Sequence, residues 1–225
     1  MEKMKNIILQ HWEGPVNELT KLSVSNISSY ASSLGAEHKL ITGPAFYKGL
    51  TSPCQKLVML DPKFDEYDTV VMMDPDMFVR KNIDKDIFHD ETGVGRHYGI
   101  QETLVKNLAR KFPLLGDPNY AYWGGSIYRL ERNIRVKLRE QIRYNEVVQF
   151  SGNYEDEGIM HRLAVLAGIK NHSANYLTRD MWNKSSFEED VEDSYIVHIR
   201  TKIKQGGPKQ PKIENYKALV ERGLI

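Results

Sequence analysis

The sequence predicts a single α/β domain built on a mostly parallel sheet, and three observations carry that reading. The chain has 225 residues, 40% of them hydrophobic, enough to bury one substantial core. Segments with strand and helix character alternate through its first third. One of them, Thr69 to Met73, is a continuous apolar run of the kind buried on both faces of a parallel sheet.

Taken in order, Lys5 to His11 has an apolar centre and reads as a first buried strand. Gly14-Pro15 breaks it, after which Leu19, Leu22, Ile27, Tyr30 and Leu34 recur at helical spacing until Gly35 ends the helix. His38 to Thr42 is a second strand, Ser52-Pro53 a helix start, and Thr69 to Met73 the third strand. Strand, helix, strand, helix, strand is the order of a nucleotide-binding α/β half. Farther on come a Gly124-Gly125 turn, an amphipathic helix near Glu131 to Arg143, a helix near Asp156 to Ala167 ended by Gly168, and a short strand from Tyr195 to Ile199. Lys, Gln, Gly and Pro crowd the segment from Lys202 to Lys212, which reads as a flexible loop or tail. No repeat and no break in composition marks a second domain.

Lys and Arg number 31 against 30 Asp and Glu, a formal net charge of +1. That balance excludes bulk attraction to nucleic acid or an anionic membrane, so no nucleic-acid partner is expected. Cys54 is the single cysteine, which rules out an intrachain disulfide and a cysteine-rich zinc site. The first apolar stretch, Ile7 to Leu9, is too short for a signal-peptide core or a membrane span, and a reducing, cytoplasmic location is expected. Any metal must then be held by carboxylates, histidine or the substrate, which points to Mn²⁺ or Mg²⁺.

The most informative feature is Val70-Val71-Met72-Met73-Asp74-Pro75-Asp76, two carboxylates directly after a buried strand. Ligands of open α/β sheets bind at the carboxyl ends of strands. Residues two apart in an extended segment point the same way, and Pro75 stiffens the link. Such a pair can hold a divalent cation against a diphosphate. A surface turn with two solvated acids would read the same in sequence. A haloacid-dehalogenase-like phosphatase also places Asp-x-Asp after an apolar strand, but usually on the first strand of the chain, whereas two strand-like segments precede it here.

Tyr67 to Arg80 resembles the Asp-x-Asp strand of GT-A glycosyltransferases. The resemblance implies that Asp76 ligates a metal, that Asp74 contacts the metal or the donor ribose, and that Lys56 meets the donor sugar; an ordinary exposed helix lysine is the alternative for Lys56. A second match, Gly152 to Leu163, is similar to the Glu-Asp segment of inverting members, with Asp156 as candidate base and Glu155 beside it. An acid in the first turn of a helix stays ionised in the positive end of the dipole and can accept a proton, although Glu155, Asp156 and Glu157 could equally serve only to cap the helix. A third match, Tyr195 to Lys204, resembles a His-x-x-Gly-x-x-Lys element in which His198 completes the metal site and Lys204 meets the diphosphate; Thr201 replaces the glycine. A histidine after an apolar strand is also commonly just packed.

Ala121 to Arg129 looks like the aromatic-Gly-Gly stretch that lines donor sugar and acceptor in the same fold. Gly124 and Gly125 would let backbone approach a ligand and Trp123 would offer a flat face, or the three would form a tight turn flanked by core aromatics. Trp12 would stack on the base or staple the first helix. The resemblance spans most of the chain and is closest to cytosolic bacterial or virus-encoded members, the chlorella-virus capsid glycosyltransferases among them. It implies a single-domain, Rossmann-like GT-A fold, with a mostly parallel central sheet flanked by helices and a smaller antiparallel part. A nucleotide-binding half would cover about 1–80, an acceptor-binding half about 81–204 and a tail 205–225. It further implies a nucleotide-sugar donor, UDP-linked by family habit, and a glycan or glycoprotein acceptor, with inversion at the anomeric carbon. A non-catalytic nucleotide-sugar-binding module is the remaining rival, and a Glu-Asp pair is more than simple binding requires.

Overall fold

Strand β1 (Asn6–Trp12) lies between β2 (Glu37–Thr42) and β3 (Thr69–Met73) and runs parallel to both. β5 (Ile127–Glu131) closes the far edge antiparallel to β3, giving the order β2-β1-β3-β5. These positions come from a computed structural model that describes residues 4–89, 98–152, 154–170, 179–201 and 210–225. A smaller mixed sheet has β4 (Met77–Val79) antiparallel to β7 (Ile196–His198), which in turn pairs in parallel with β6 (Lys184–Ser185). The expected α/β architecture with a mostly parallel central sheet and a smaller, partly antiparallel one is therefore present.

Why the third strand is apolar throughout follows from its two coverings. Val70 and Met72 enter the cluster that contains Leu57, Phe64 and Leu163, whereas Val71 and Met73 face Ile27 and Tyr30. All four are fully buried, and each such side chain contributes about 1.5–3 kcal/mol. Helix α1 (Glu18–Ser33) covers the second face. Asn17 caps its start by accepting from the Thr20 amide at 2.9 Å. Gly35, at φ +67°, takes the left-handed turn that ends it, and the Ala36 amide returns to Ala31 O at 2.9 Å.

The segment after Ser52-Pro53 is a 3-10 helix, Ser52–Leu60, rather than the α-helix such a start suggests. Seven consecutive residues, Cys54 to Leu60, are buried, a pattern with no single apolar stripe for a 3.6-residue period to align. Three more helices flank the large sheet or its extensions, α2 (Tyr98–Lys111), α3 (Arg132–Glu140) and α5 (Glu155–Leu166), with the one-turn helix α4 (Tyr144–Val147) before α5 and the one-turn helix α6 (Arg179–Trp182) after it. Within the segment assigned above to a tail, Lys212–Glu221 forms helix α7. Its Leu219, together with Leu224 and Ile225, packs on Leu19, Phe78 and Val197, so apolar burial orders this end of the chain.

Arg135 of α3 is fully buried, and its guanidinium donates to Leu130 O at 2.7 Å, Phe64 O at 2.9 Å and Tyr67 O at 2.7 Å. It thereby fastens the antiparallel edge strand to the chain entering β3. Burial lowers its pKa to about 10, leaving it charged at neutrality. Arg135→Leu strands three carbonyl groups and should cost about 3 kcal/mol or more. Urea unfolding measures this directly; an unchanged midpoint would show that the three bonds contribute nothing net.

Candidate active site

The chain leaves β3 through a tight turn closed by the Met77 amide on Asp74 O at 3.2 Å, with Pro75 in its second position, where a fixed φ is favoured. Asp74 and Asp76 are thus separated by a turn and not by extended backbone. The two carboxylates still share one locus, for a reason the strand order supplies. β4 pairs with β7 so that Met77 lies opposite His198, and the Ile199 amide donates to Asp76 O at 2.9 Å. One ligand atom from each of Asp74, Asp76 and His198 falls within 4.8 Å of the others.

His198 is buried, with Nδ1 3.0 Å from Asn183 Oδ1 and Nε2 3.2 Å from Asp76 Oδ1. An Nδ1–H donated to the Asn183 amide oxygen would leave the Nε2 lone pair available to a metal ion, the outer-shell pattern of metal-bound histidine. Two carboxylates and an imidazole suit a borderline divalent ion. Burial alone would raise the Asp76 carboxyl, but the His198 ring and the Lys212 ammonium hold it well below the usual carboxylate range. Lys212, at the start of α7, forms an ion pair with Asp76. Sequence reasoning missed it, although it closes the Lys-rich segment that was noted. Lys204 lies outside the described residues.

Below the turn, Gln10 of β1 is fully buried, and its amide nitrogen donates to Ser23 Oγ at 2.9 Å and Asp74 O at 3.3 Å. His38 Nε2 is 3.1 Å from Gln10 Oε1, and Ser23 Oγ donates to Met77 O at 2.7 Å. The carbonyls at the two ends of the acidic turn, those of Asp74 and Met77, therefore have donors supplied by the first strand and first helix.

The second group centres on Lys56, which is 7% exposed and so is not an ordinary helix-surface lysine. Its Nζ is 2.9 Å from Asp74 Oδ1 and 2.9 Å from Asp156 Oδ2, and it also donates to Gly125 O. Burial alone would lower its pKa, but the two carboxylates hold the ammonium above its ordinary value. Asp156 is itself buried and accepts from Tyr128 Oη at 2.7 Å. Against the expectation from the helix dipole, its carboxyl is raised above the usual range, because desolvation outweighs the pull of Lys56 and Tyr128.

The Glu-Asp pair splits. Glu155, at φ +51°, turns its carboxylate to the Thr51 hydroxyl and to the Gly152 amide at 3.1 Å, away from Lys56. Glu157, read in the sequence only as a helix-capping acid, accepts from the Gly125 amide at 2.8 Å and from Tyr122 Oη at 2.9 Å. It holds the Gly124-Gly125 turn against α5. Trp123 is 4% exposed within the main core, so its ring backs this turn from inside. Trp12 stands half-buried at the end of β1, with its indole N–H on Pro15 O at 3.0 Å, which staples the chain entering α1. Cys54 is buried, and desolvation pushes its thiol up to about 12, outside the reactive range.

Several solved structures share this fold over nearly their whole length. A glycosyltransferase involved in glycosylation of the major capsid of PBCV-1 superposes with a TM-score of 0.52 at 13% identity, covering 96% of this chain and 99% of the other. The galactosyltransferase LgtC in complex with donor and acceptor sugar analogs gives 0.52 at 12% identity over 96% and 95% of the two chains. An active-site mutant of LgtC gives 0.50 at 12% identity over 97% and 96%. No protein-family model and no curated protein sequence matches the chain. The fold is therefore that of GT-A-like glycosyltransferases, at an identity that speaks for architecture alone.

The two adjacent glycines make separable claims on the site. A Cβ on Gly125 would lie 2.8 Å from Asp156 Oδ2 and 2.9 Å from Glu157 Cγ, whereas a Cβ on Gly124 meets nothing within 4 Å. Gly125→Ala should cost about 1–3 kcal/mol by overpacking, and Gly124→Ala should stay within about 0.5 kcal/mol of the parent. Equal melting temperatures for the two variants would refute this division.

Proposed function

We propose that the chain is a metal-dependent glycosyltransferase, moving a sugar from a nucleoside diphosphate to a hydroxyl of a glycan or glycoprotein acceptor with inversion. The observation that carries the reading is the convergence of Asp74, Asp76 and His198 at the end of β3, one buried lysine away from Asp156. Uridine as the base rests on the Asp-x-Asp resemblance. Mn²⁺ or Mg²⁺ would be held by Asp76 and His198 with Asp74 assisting, and when bound supplies positive charge to the departing diphosphate, worth several kcal/mol. Lys204 would add charge at the diphosphate, and Trp12 a face for the base.

The chain's own residues account for the remaining chemistry. Asp156 Oδ accepts the proton of the acceptor hydroxyl, and its raised proton affinity makes it a stronger base than a solvated aspartate. Lys56 keeps Asp74 and Asp156 apart yet fixed in one geometry. Gly124, with open space where a side chain would stand, leaves room for a sugar close to the backbone. The segment before about residue 80 then supplies the donor site, and the segment from there to about 204 supplies Asp156 and His198. A cytoplasmic location fits the lone buried thiol, and no helix among the described residues is long and apolar enough to cross a membrane.

The phosphatase reading is disfavoured by the antiparallel β5 beside β3 and by the glycosyltransferase architecture of the neighbours. A pure binding module has no use for a buried carboxyl with raised proton affinity beside the metal locus.

Asp76→Asn should abolish the Mn²⁺-dependent rise in melting temperature given by UDP-sugars and with it all transfer; an unimpaired shift removes the metal role. Asp156→Asn should slow transfer about 10²–10⁴-fold with donor binding intact, and a variant of normal rate removes Asp156 as base. Because the Asp156 carboxyl is raised, the working carboxylate is lost as pH falls through a value above the ordinary carboxylate range. Single-turnover rates should therefore drop on the acid side before the pH at which a solvated aspartate takes up its proton, about 4. A rate flat down to that point contradicts the assignment.

A further inference from the structure

The loop that follows β2 carries two aromatic contacts that the chemistry above leaves without a role. Phe46 and Tyr47 pack ring to ring at 4.4 Å, and Tyr47 meets Tyr144 of α4 edge-on at 5.0 Å with 65° between the planes. Tyr144 is 44% exposed and Tyr47 is partly exposed. Neither phenol hydroxyl makes a hydrogen bond among the described residues, unlike the buried tyrosines Tyr122 and Tyr128. Core aromatics cover their faces and satisfy their hydroxyls; Phe46 and Tyr47 rest against the main core yet stay partly exposed, and the Tyr47 and Tyr144 hydroxyls find no partner among the described residues.

Its placement is fixed by the same segments that build the site. The loop leaves β2 at the carboxyl end of the sheet, where His11 Nε2 lies 2.7 Å from Gly43 O. Gln55, the neighbour of Lys56, is fully buried and grips the loop from below, bonding the Phe46 amide at 2.7 Å and Tyr47 O at 2.8 Å. At the loop's far end the Thr51 amide donates to Ser151 Oγ at 3.0 Å and the Thr51 hydroxyl to Glu155, the residue before Asp156. The corner is thus anchored to the chain on either side of the Lys56–Asp156 pair. Lys48 is the one charged residue between Gly43 and Leu50.

We infer that Tyr47 and Tyr144 form a saccharide-stacking subsite that receives a pyranose unit of the acceptor. This rests on the proposed glycosyl transfer and names the recognition chemistry of its second substrate. Two rings at 65° offer one wall to the C–H face of a pyranose and one to its edge. Two unpartnered hydroxyls at the tips can exchange hydrogen bonds with sugar hydroxyls. Tyrosine loses little conformational freedom on binding, and the loop's backbone is already held by Gln55, so little ordering remains to oppose association.

Saturation-transfer NMR on the full chain tests this with three probes, the methyl glycosides of β-D-galactose, β-D-glucose and α-D-mannose. At least one should receive saturation, strongest on the C–H protons of one ring face. Tyr47→Ala and Tyr144→Ala should each raise its Kd about 5-fold, and Tyr47→Phe and Tyr144→Phe should lose less. Binding unchanged in both alanine variants, or no saturation of any of the three, overturns the subsite. The UDP-sugar melting shift with Mn²⁺ is read in parallel. Its loss alongside intact glycoside binding at Tyr47 and Tyr144 sinks the transferase reading and keeps the saccharide site. An intact shift without glycoside binding sinks only the subsite.

Discussion

The ammonium of Lys56 is the point on which the site's architecture depends. It is buried and touches Asp74 at the end of β3, Asp156 in the first turn of α5, and the carbonyl of Gly125 in the glycine turn. Those three segments lie far apart in sequence, and no covalent feature draws them together. Two carboxylates held this close to one point would repel each other without a cation between them. An interior position for a single ammonium would be equally costly without two acids around it. The charges are tolerable only as a set, which fixes the end of the sheet, the mouth of the helix and the turn in one arrangement.

From that centre the carboxylates divide their work by burial. Asp76 is kept ionised by an imidazole and a second lysine, the state in which a carboxylate can act as a ligand. Asp156, with one shared lysine and a phenol against full desolvation, is pushed the other way. Two aspartates a short distance apart thus have opposite proton affinities because of what surrounds them, the usual route to separate roles for chemically identical groups. The partly buried chain from His38 through Gln10 to Asp74 O and from Ser23 to Met77 O keeps the acidic turn rigid.

What the sequence revealed and what it hid follow the length scale of each signal. β3 was legible to the residue because burial on both faces leaves four apolar residues in a row behind a buried threonine. Gly35 and Gly168 end their helices where expected, since a left-handed φ leaves a compositional mark. β4, β6 and β7 have three, two and three residues, too few for a period to show. β7 was visible only through its apolar core. The meeting of Asp74, Asp76 and His198 was legible only as Asp-x-Asp and a distant histidine, while its geometric cause, the pairing of Met77 with His198, is a contact across more than a hundred residues. Lys56 carries no local sign of burial, since its environment is made by acids at 74 and 156. Lys212 hid in a segment whose composition reads as loop, while its ordering comes from Leu219, Leu224 and Ile225 farther on.

The conformation of Glu155 explains why an apparently redundant acidic triplet performs three different tasks. A non-glycine residue at φ +51° costs about 1–3 kcal/mol, and an uninterrupted helical start would have avoided that. In such a start, Glu155, Asp156 and Glu157 would fan out at about 100° intervals around the first turn, with all three facing solvent or competing for the same amides. The left-handed residue instead swings Glu155 out to Thr51 and Gly152, where its carboxylate receives donors. The next two side chains are then turned inward, Asp156 to Lys56 and Tyr128, Glu157 to the Gly125 amide and Tyr122. The strain is held by contacts on both sides of it, so it persists as part of the fold. It aims one carboxylate at a lysine and another at a glycine turn, and leaves the third to brace the loop that carries Tyr47.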